Sequence, residues 1–237
     1  MQNISETISN GLVWYVVFLF STTLHEASHA FVSYRLGDRT AYEGGQVTLN
    51  PVPHIMREKL GLVVVPIITF ILNGWMIGWA SAPYDYNWAM RYPKKSAMMA
   101  AAGPSANLFL VILSAVFIHI GINLGGFYVP DTIYFSKIVG AYETGYWPAA
   151  SKFVSILFSL NLILFVFNLL PIPPLDGSGI IKLFLPEGPA RRYMQFLANP
   201  GLAFLGLIVA WNLFDYIYSP VWLFVINLVY PGSGFGR

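Results

Sequence analysis

Residues 22–31 read TTLHEASHAF, and three of them have the types and spacing to do chemistry together. On a helix each residue turns by about 100°, so His29 lies roughly 40° from His25 and Glu26 roughly 100° from it. All three share one side. Two imidazoles four residues apart can bind one tetrahedral zinc, and the glutamate beside the first can hold a water next to the metal without being a ligand itself. This is the H-E-x-x-H arrangement. A lone histidine in an apolar stretch most often lines a helix contact. A trio asks for more, because an ionisable group in a membrane costs about 2.5–3.5 kcal/mol and needs a compensating partner. The chain has no cysteine, so metal or nucleophilic chemistry must come from His, Asp, Glu, Ser or Tyr.

The trio sits in a chain of 237 residues that is 56% hydrophobic and 10% charged, with a net charge of +2. Such a composition reads as an all-α polytopic membrane protein rather than one soluble core, and the small positive charge is no footprint for nucleic acid. Five stretches approach bilayer length: residues 11–36, 62–79, 96–120, 151–170 and 200–218, with a shorter one at 221–230. The sequence therefore predicts a helical bundle of about 4–6 membrane segments in a single domain, 1–237. The first stretch lacks a small-residue cleavage site before its polar cluster and is expected to be retained as a span. Arg35, Arg39, Arg57 and Lys59 follow the first stretch, and Arg91, Lys94 and Lys95 follow the second. Both loops want the cytoplasmic side, which a simple span between them forbids. With Pro66, Asn73-Gly74 and Gly78 inside it, Leu62 to Trp79 reads as a re-entrant hairpin near the cytoplasmic face, its broken backbone covered by protein. The segment YEGGQVTLNPVP alternates over Gln46 to Asn50 and predicts a short strand at the membrane edge.

Zinc needs a third protein ligand if one position is to stay open for water. Asp176, in NLLPIPPLDGSG, directly follows the stretch that returns to the cytoplasmic side. His29 is six residues, roughly 9 Å, from Arg35 at that same end of its helix. Topology thus brings Asp176 level with the histidines, although PIPPLDG on its own is also an ordinary helix-ending turn. His54 would lie near the site, either as an oxyanion donor or support for a ligand, or as an interfacial histidine beside Arg57. Asn107 either bonds across helices or orients a zinc ligand. His119 and Asp215 fall at the outer ends of their stretches, too far away to be ligands.

LHEASHA, then a Gly-rich segment with LNPVPHI, then GWASAP, AAGPSANL and FNLLPIPPLDGSGI, together resemble the site-2 protease family of intramembrane zinc metalloproteases, in its short form without appended PDZ or CBS domains. The resemblance covers about residues 11–185, a catalytic core followed by C-terminal membrane segments in 186–237. It implies that His25, His29 and Asp176 hold one Zn2+ per chain, that Glu26 is the catalytic base, and that Asn168 helps bind substrate or steady the oxyanion. The implied activity is zinc-dependent endopeptidase cleavage within or near transmembrane segments. The implied partners are a membrane-protein substrate and the lipid bilayer, in a prokaryotic plasma membrane with the active site toward the cytoplasm. Two readings compete with it. A metal-ion or proton transporter could use the same His/Glu/Asp cluster, although no repeat is visible. A catalytically idle scaffold could keep zinc for stability.

Overall fold

The computed structural model describes residues 4–236. Helix α1 (Ile4–Leu36) is followed by two short helices, α2 (Thr40–Glu43) and α3 (Pro51–Arg57). A π-helical turn at Leu60–Val64 leads into α4 (Val65–Asn73), then come α5 (Tyr86–Arg91) and the long α6 (Pro93–Asn123). Strands β1 (Phe127–Tyr128) and β2 (Gly140–Ala141) pair antiparallel before α7 (Trp147–Asn168). Short α8 (Asp176–Ile180), a 3-10 turn at Ile181–Leu183, α9 (Glu187–Leu197) and α10 (Pro200–Val229) complete the order. Four helices, within α1, α6, α7 and α10, are long and apolar enough to cross a membrane. The all-α polytopic expectation holds.

Helix α7 is the centre of the bundle. Its residues join both main apolar clusters: Ile156, Leu157 and Leu160 pack with Trp14, Val17, Phe18, Leu62 and Leu110, while Phe158, Leu162 and Val166 pack with Val111, Ile118, Ile226 and Val229. A helix apolar all round is a buried helix. Lipid tails are as apolar as leucine, so dispersion packing and interhelical hydrogen bonds, not exclusion from water, hold such a bundle. Two hydroxyls of α1 bond within the helix, Thr22 Oγ1 donating to Phe18 O (2.8 Å) and Ser28 Oγ to Leu24 O (2.7 Å), whereas the buried Thr23 Oγ1 has no partner among the described residues. At the other end of the bundle from His25, the β1–β2 loop tucks inward: Ser155 Oγ accepts the N–H groups of Ile138 and Val139, and the Phe135 ring stacks on Trp14 at 5.1 Å.

Three sequence expectations change. Gln46 to Asn50 forms no strand: residues 47–49 bend, and the small sheet is β1–β2 instead. A strand needs a neighbour, and no described segment pairs with 46–50. Next, 200–218 and 221–230 are one helix, α10, continuing through Pro220. Proline removes a single N–H, and α10 continues past that loss. Finally, the hairpin doubles back, Trp79 N–H donating to Gly61 O at 3.2 Å, yet its tip is exposed, Ile71 and Leu72 being 74% and 73% accessible. Its backbone is satisfied locally instead of covered, Gly74 N–H donating to Phe70 O and Ile77 N–H to Thr69 Oγ1. A Cβ on Gly61 would lie 2.2 Å from Trp79 O. Gly61→Val should therefore cost about 1–3 kcal/mol by overpacking. Titration of detergent-purified protein with SDS reads this as a lower unfolding midpoint, and an unchanged midpoint refutes the close packing of the hairpin limbs.

Candidate metal centre

Helix α1 presents His25, Glu26 and His29, each 5–7% exposed, toward the bundle interior. Helix α6 approaches their rings through Gly103: a Cβ there would lie 2.3 Å from His29 Nε2 and 2.4 Å from His25 Nε2. Any larger residue would occupy the space between the imidazoles and α6. One residue later, Pro104 lacks an N–H and leaves the Ala100 carbonyl without its helical donor. Beside that loosened turn, the Met99 carbonyl accepts the Nδ1–H of His29 at 2.7 Å.

Asp176 arrives from the other side, on the first turn of α8. Its Oδ2 lies 3.1 Å from His25 Nε2 and 3.2 Å from His29 Nε2, and the two Nε2 atoms are 3.0 Å apart. With neutral imidazoles protonated at Nδ1, these contacts are not hydrogen bonds. His25 Nδ1 faces Asn107 Oδ1 at 2.5 Å, and His29 Nδ1 faces the Met99 carbonyl; both partners are acceptors, so in the neutral imidazoles the proton is on Nδ1. Each Nε2 is then a bare lone pair, and the buried Asp176 Oδ2 receives no donor. Three lone pairs repel unless a cation lies between them. Zinc bonds of about 2.0–2.2 Å in a tetrahedron put ligand atoms about 3.3 Å apart. A triangle with sides of 3.0–3.2 Å fits that face closely.

A chain of amides holds His25. Asn107 Nδ2 donates to Asn161 Oδ1 (2.8 Å), and Asn161 Nδ2 donates to Ser21 Oγ (2.9 Å) and Leu157 O (2.8 Å). The chain joins α1, α6 and α7. Interhelical hydrogen bonds in membranes average about 0.6 kcal/mol, so three of them add only about 2 kcal/mol of stability. Their larger effect is to fix the tautomer and direction of the ring. Beyond Asp176, Lys182 Nζ donates to Ser96 Oγ at 2.7 Å and Lys94 Nζ to Leu183 O, tying the 3-10 turn to the start of α6. Burial pushes the Lys182 ammonium down to about 8.

Of the residues expected from sequence, His25, His29 and Asp176 come together, the donor atoms all within 4.8 Å of one another. Glu26 is buried beside them and has no hydrogen bond or ion pair among the described residues. Asn107 touches His25 as the orienting alternative required. Asn168 turns its amide back to Leu164 O at 3.0 Å on its own helix. His54, 1% exposed, bonds Thr48 O through Nε2 at 3.1 Å and leaves Nδ1 unpartnered. His119 and Asp215 are exposed and do not belong to the His25, His29 and Asp176 group. Sequence reading missed Asn161 and Ser21; the available signal was an uncharged polar pair inside apolar stretches, without a motif spacing.

The model of peptidase family M50, the site-2 protease family, matches residues 13–209, most of the chain and both segments that carry the His25, His29 and Asp176 group. This protein belongs to family M50. The M50 chain is 33% identical over 212 residues to YwhC of Bacillus subtilis, named as a zinc metalloprotease by assignment, covering 87% of this chain and 84% of the relative. It is 31% identical over 221 residues to Rip2 of Mycobacterium tuberculosis H37Rv, named in the same way, covering 89% and 72%. No solved structure matches it. As an M50 member it is a metalloprotease with membrane helices, and zinc is the family's metal.

Asn161→Ala should free Asn107 to rotate and weaken zinc binding by about tenfold to a hundredfold. The readout is competition against a chromogenic chelator, with helical circular dichroism unchanged. Wild-type affinity in a folded variant would remove Asn161 from the site.

Proposed function

We propose that this protein is an intramembrane endopeptidase, hydrolysing peptide bonds within or near transmembrane segments of membrane proteins, as in regulated intramembrane proteolysis. The observation that carries the reading is the convergence of His25 Nε2, His29 Nε2 and Asp176 Oδ2 to within 3.0–3.2 Å of one another, beside Glu26 on a span-length helix, whose carboxylate has no partner among the described residues. In this reading His25, His29 and Asp176 hold one zinc, which when bound acts as a Lewis acid, acidifying water and polarising a peptide carbonyl. Glu26, with no partner among the described residues, takes the proton of the attacking water and returns it to the leaving amine. Asn107 and the Met99 carbonyl keep both imidazoles in the ligating tautomer. Asn168 Oδ1, free once Nδ2 bonds Leu164, accepts a substrate N–H. His54, its proton on Thr48, acts through the 47–49 segment rather than as an oxyanion donor.

A helical substrate must unwind, because its carbonyls already bond within the helix. The backbone N–H and C=O groups of Val47 and Leu49 have no partner among the described residues, and both residues line a cleft of about 680 Å³ with Ala27, Ala102 and Ser105. An unwound segment can bond to that edge as an added strand. Arg35 lies in the last turn of α1, Lys95 Nζ bonds Leu36 O beside it, and Lys94 and Lys182 bond between the start of α6 and the turn after Asp176, a basic group that supports a site facing the cytoplasm of a prokaryotic cell.

The test is Glu26→Gln beside Asp176→Ala, each reconstituted in lipid vesicles with a panel of single-span model proteins. Glu26→Gln should lose at least about a hundredfold in cleavage while keeping its zinc. Asp176→Ala should lose the zinc. Wild-type vesicles that never cleave but pass zinc would replace the protease reading with a transporter.

A further inference from the structure

Asp176 is carried by the turn 169–175, and that turn is gripped from two sides. From within, Gly177 folds back so closely that a Cβ would lie 2.3 Å from the carbonyl oxygens of both Leu169 and Leu170. From outside, α10 presses Gly206 onto Pro173: a Cβ there would lie 1.8 Å from Pro173 O and 3.0 Å from Ile172 Cγ2. One turn further along α10, Ala210 is fully buried in a small cluster with Leu170 and Leu175, and Phe214 meets Phe167 edge to face at 5.3 Å. Leu175 is the residue immediately before the aspartate. The remaining faces of this part of α10 are open, Phe204, Leu205 and Trp211 being 67%, 58% and 61% accessible. The outer wall of the aspartate turn is thus one face of a single helix that otherwise meets lipid.

We infer that Gly206 is a positioning residue: the seat made by Gly206, Ala210 and Phe214 of α10 holds the 169–175 turn so that Asp176 Oδ2 completes the metal triangle. The inference rests on the metal-centre reading and assigns a role to a helix that carries no chemical motif. The two histidines are placed by α1 and α6 and do not depend on α10. Asp176 does. An added methyl at Gly206 cannot be absorbed by a side-chain rotation, because the atom it meets is backbone. It must shift either α10 or the turn, and a shift of the turn moves only the third ligand.

The experiment uses the full chain purified in detergent. Gly206→Ala should bind zinc at least about tenfold more weakly in chelator competition. Its cobalt-substituted form should lose the strong visible absorption of a four-coordinate centre, which a merely structural change distant from the ligands would leave in place. Leu207→Ala, on the open face of α10, should match wild type in both. If Gly206→Ala does not accumulate folded, Phe214→Ala loosens the same seat without overfilling it and should weaken zinc several-fold. Wild-type affinity and cobalt spectrum in whichever variant folds overturn the inference. A wild-type protein that takes up no zinc overturns it together with the metal-centre reading, whereas zinc binding without cleavage sinks the protease proposal and leaves the seat standing.

Discussion

Three lone pairs aimed at one point, two of them on imidazoles buried between helices, form the constraint around which the bundle is arranged. Left to themselves, two neutral imidazoles and a carboxylate at 3.0–3.2 Å would push apart or take up a proton between them. They are held because each is fixed from behind: His25 by Asn107, His29 by the Met99 carbonyl, and Asp176 by the turn packed against α10. The stabilisation these supports contribute is small compared with what they prevent. Turning either imidazole over would place an N–H where a lone pair is needed.

The same economy explains where small residues and proline fall. Gly103 lets the backbone of α6 come within contact of the ring nitrogens, and Pro104 opens the turn next to a carbonyl that bonds histidine. Gly61 and Gly78 do for the hairpin what Gly103 does for the site, bringing two backbones together where no side chain fits. In a membrane this matters doubly, since close packing replaces the hydrophobic effect as the cohesive force between helices.

The convergence of His25, His29 and Asp176 was legible in the sequence because its geometry is local or topological: His25 and His29 follow from the helical repeat, and Asp176 from counting which side each charged loop must occupy. Asn107 could be placed in the right helix but not given one role until its partner was visible. Asn161 was illegible, since a single amide in an apolar stretch has no spacing to betray its neighbour on another helix. The strand at Gln46 to Asn50 failed for a related reason: alternation shows what a segment could pair with, not whether a partner is present. Pro220 misled in the opposite direction, a local breaker overridden by the length of apolar helix on either side of it.

The loop between α6 and α7 closes the bundle at the end away from the triad, with Phe135 stacked on Trp14, Ser155 bonding two successive N–H groups and Tyr230 O–H donating to Ile138 O at 3.0 Å. A hydrolase in a membrane has to be fed water, and a path wet from both faces would also conduct protons. Ile138 and Val139, 0% and 1% exposed, form an apolar stopper across one end. Among the described residues the end of the bundle away from the triad is therefore closed by packed apolar side chains whose backbone groups are already bonded, so that under the proposed function water has to be supplied from the end that carries Asp176.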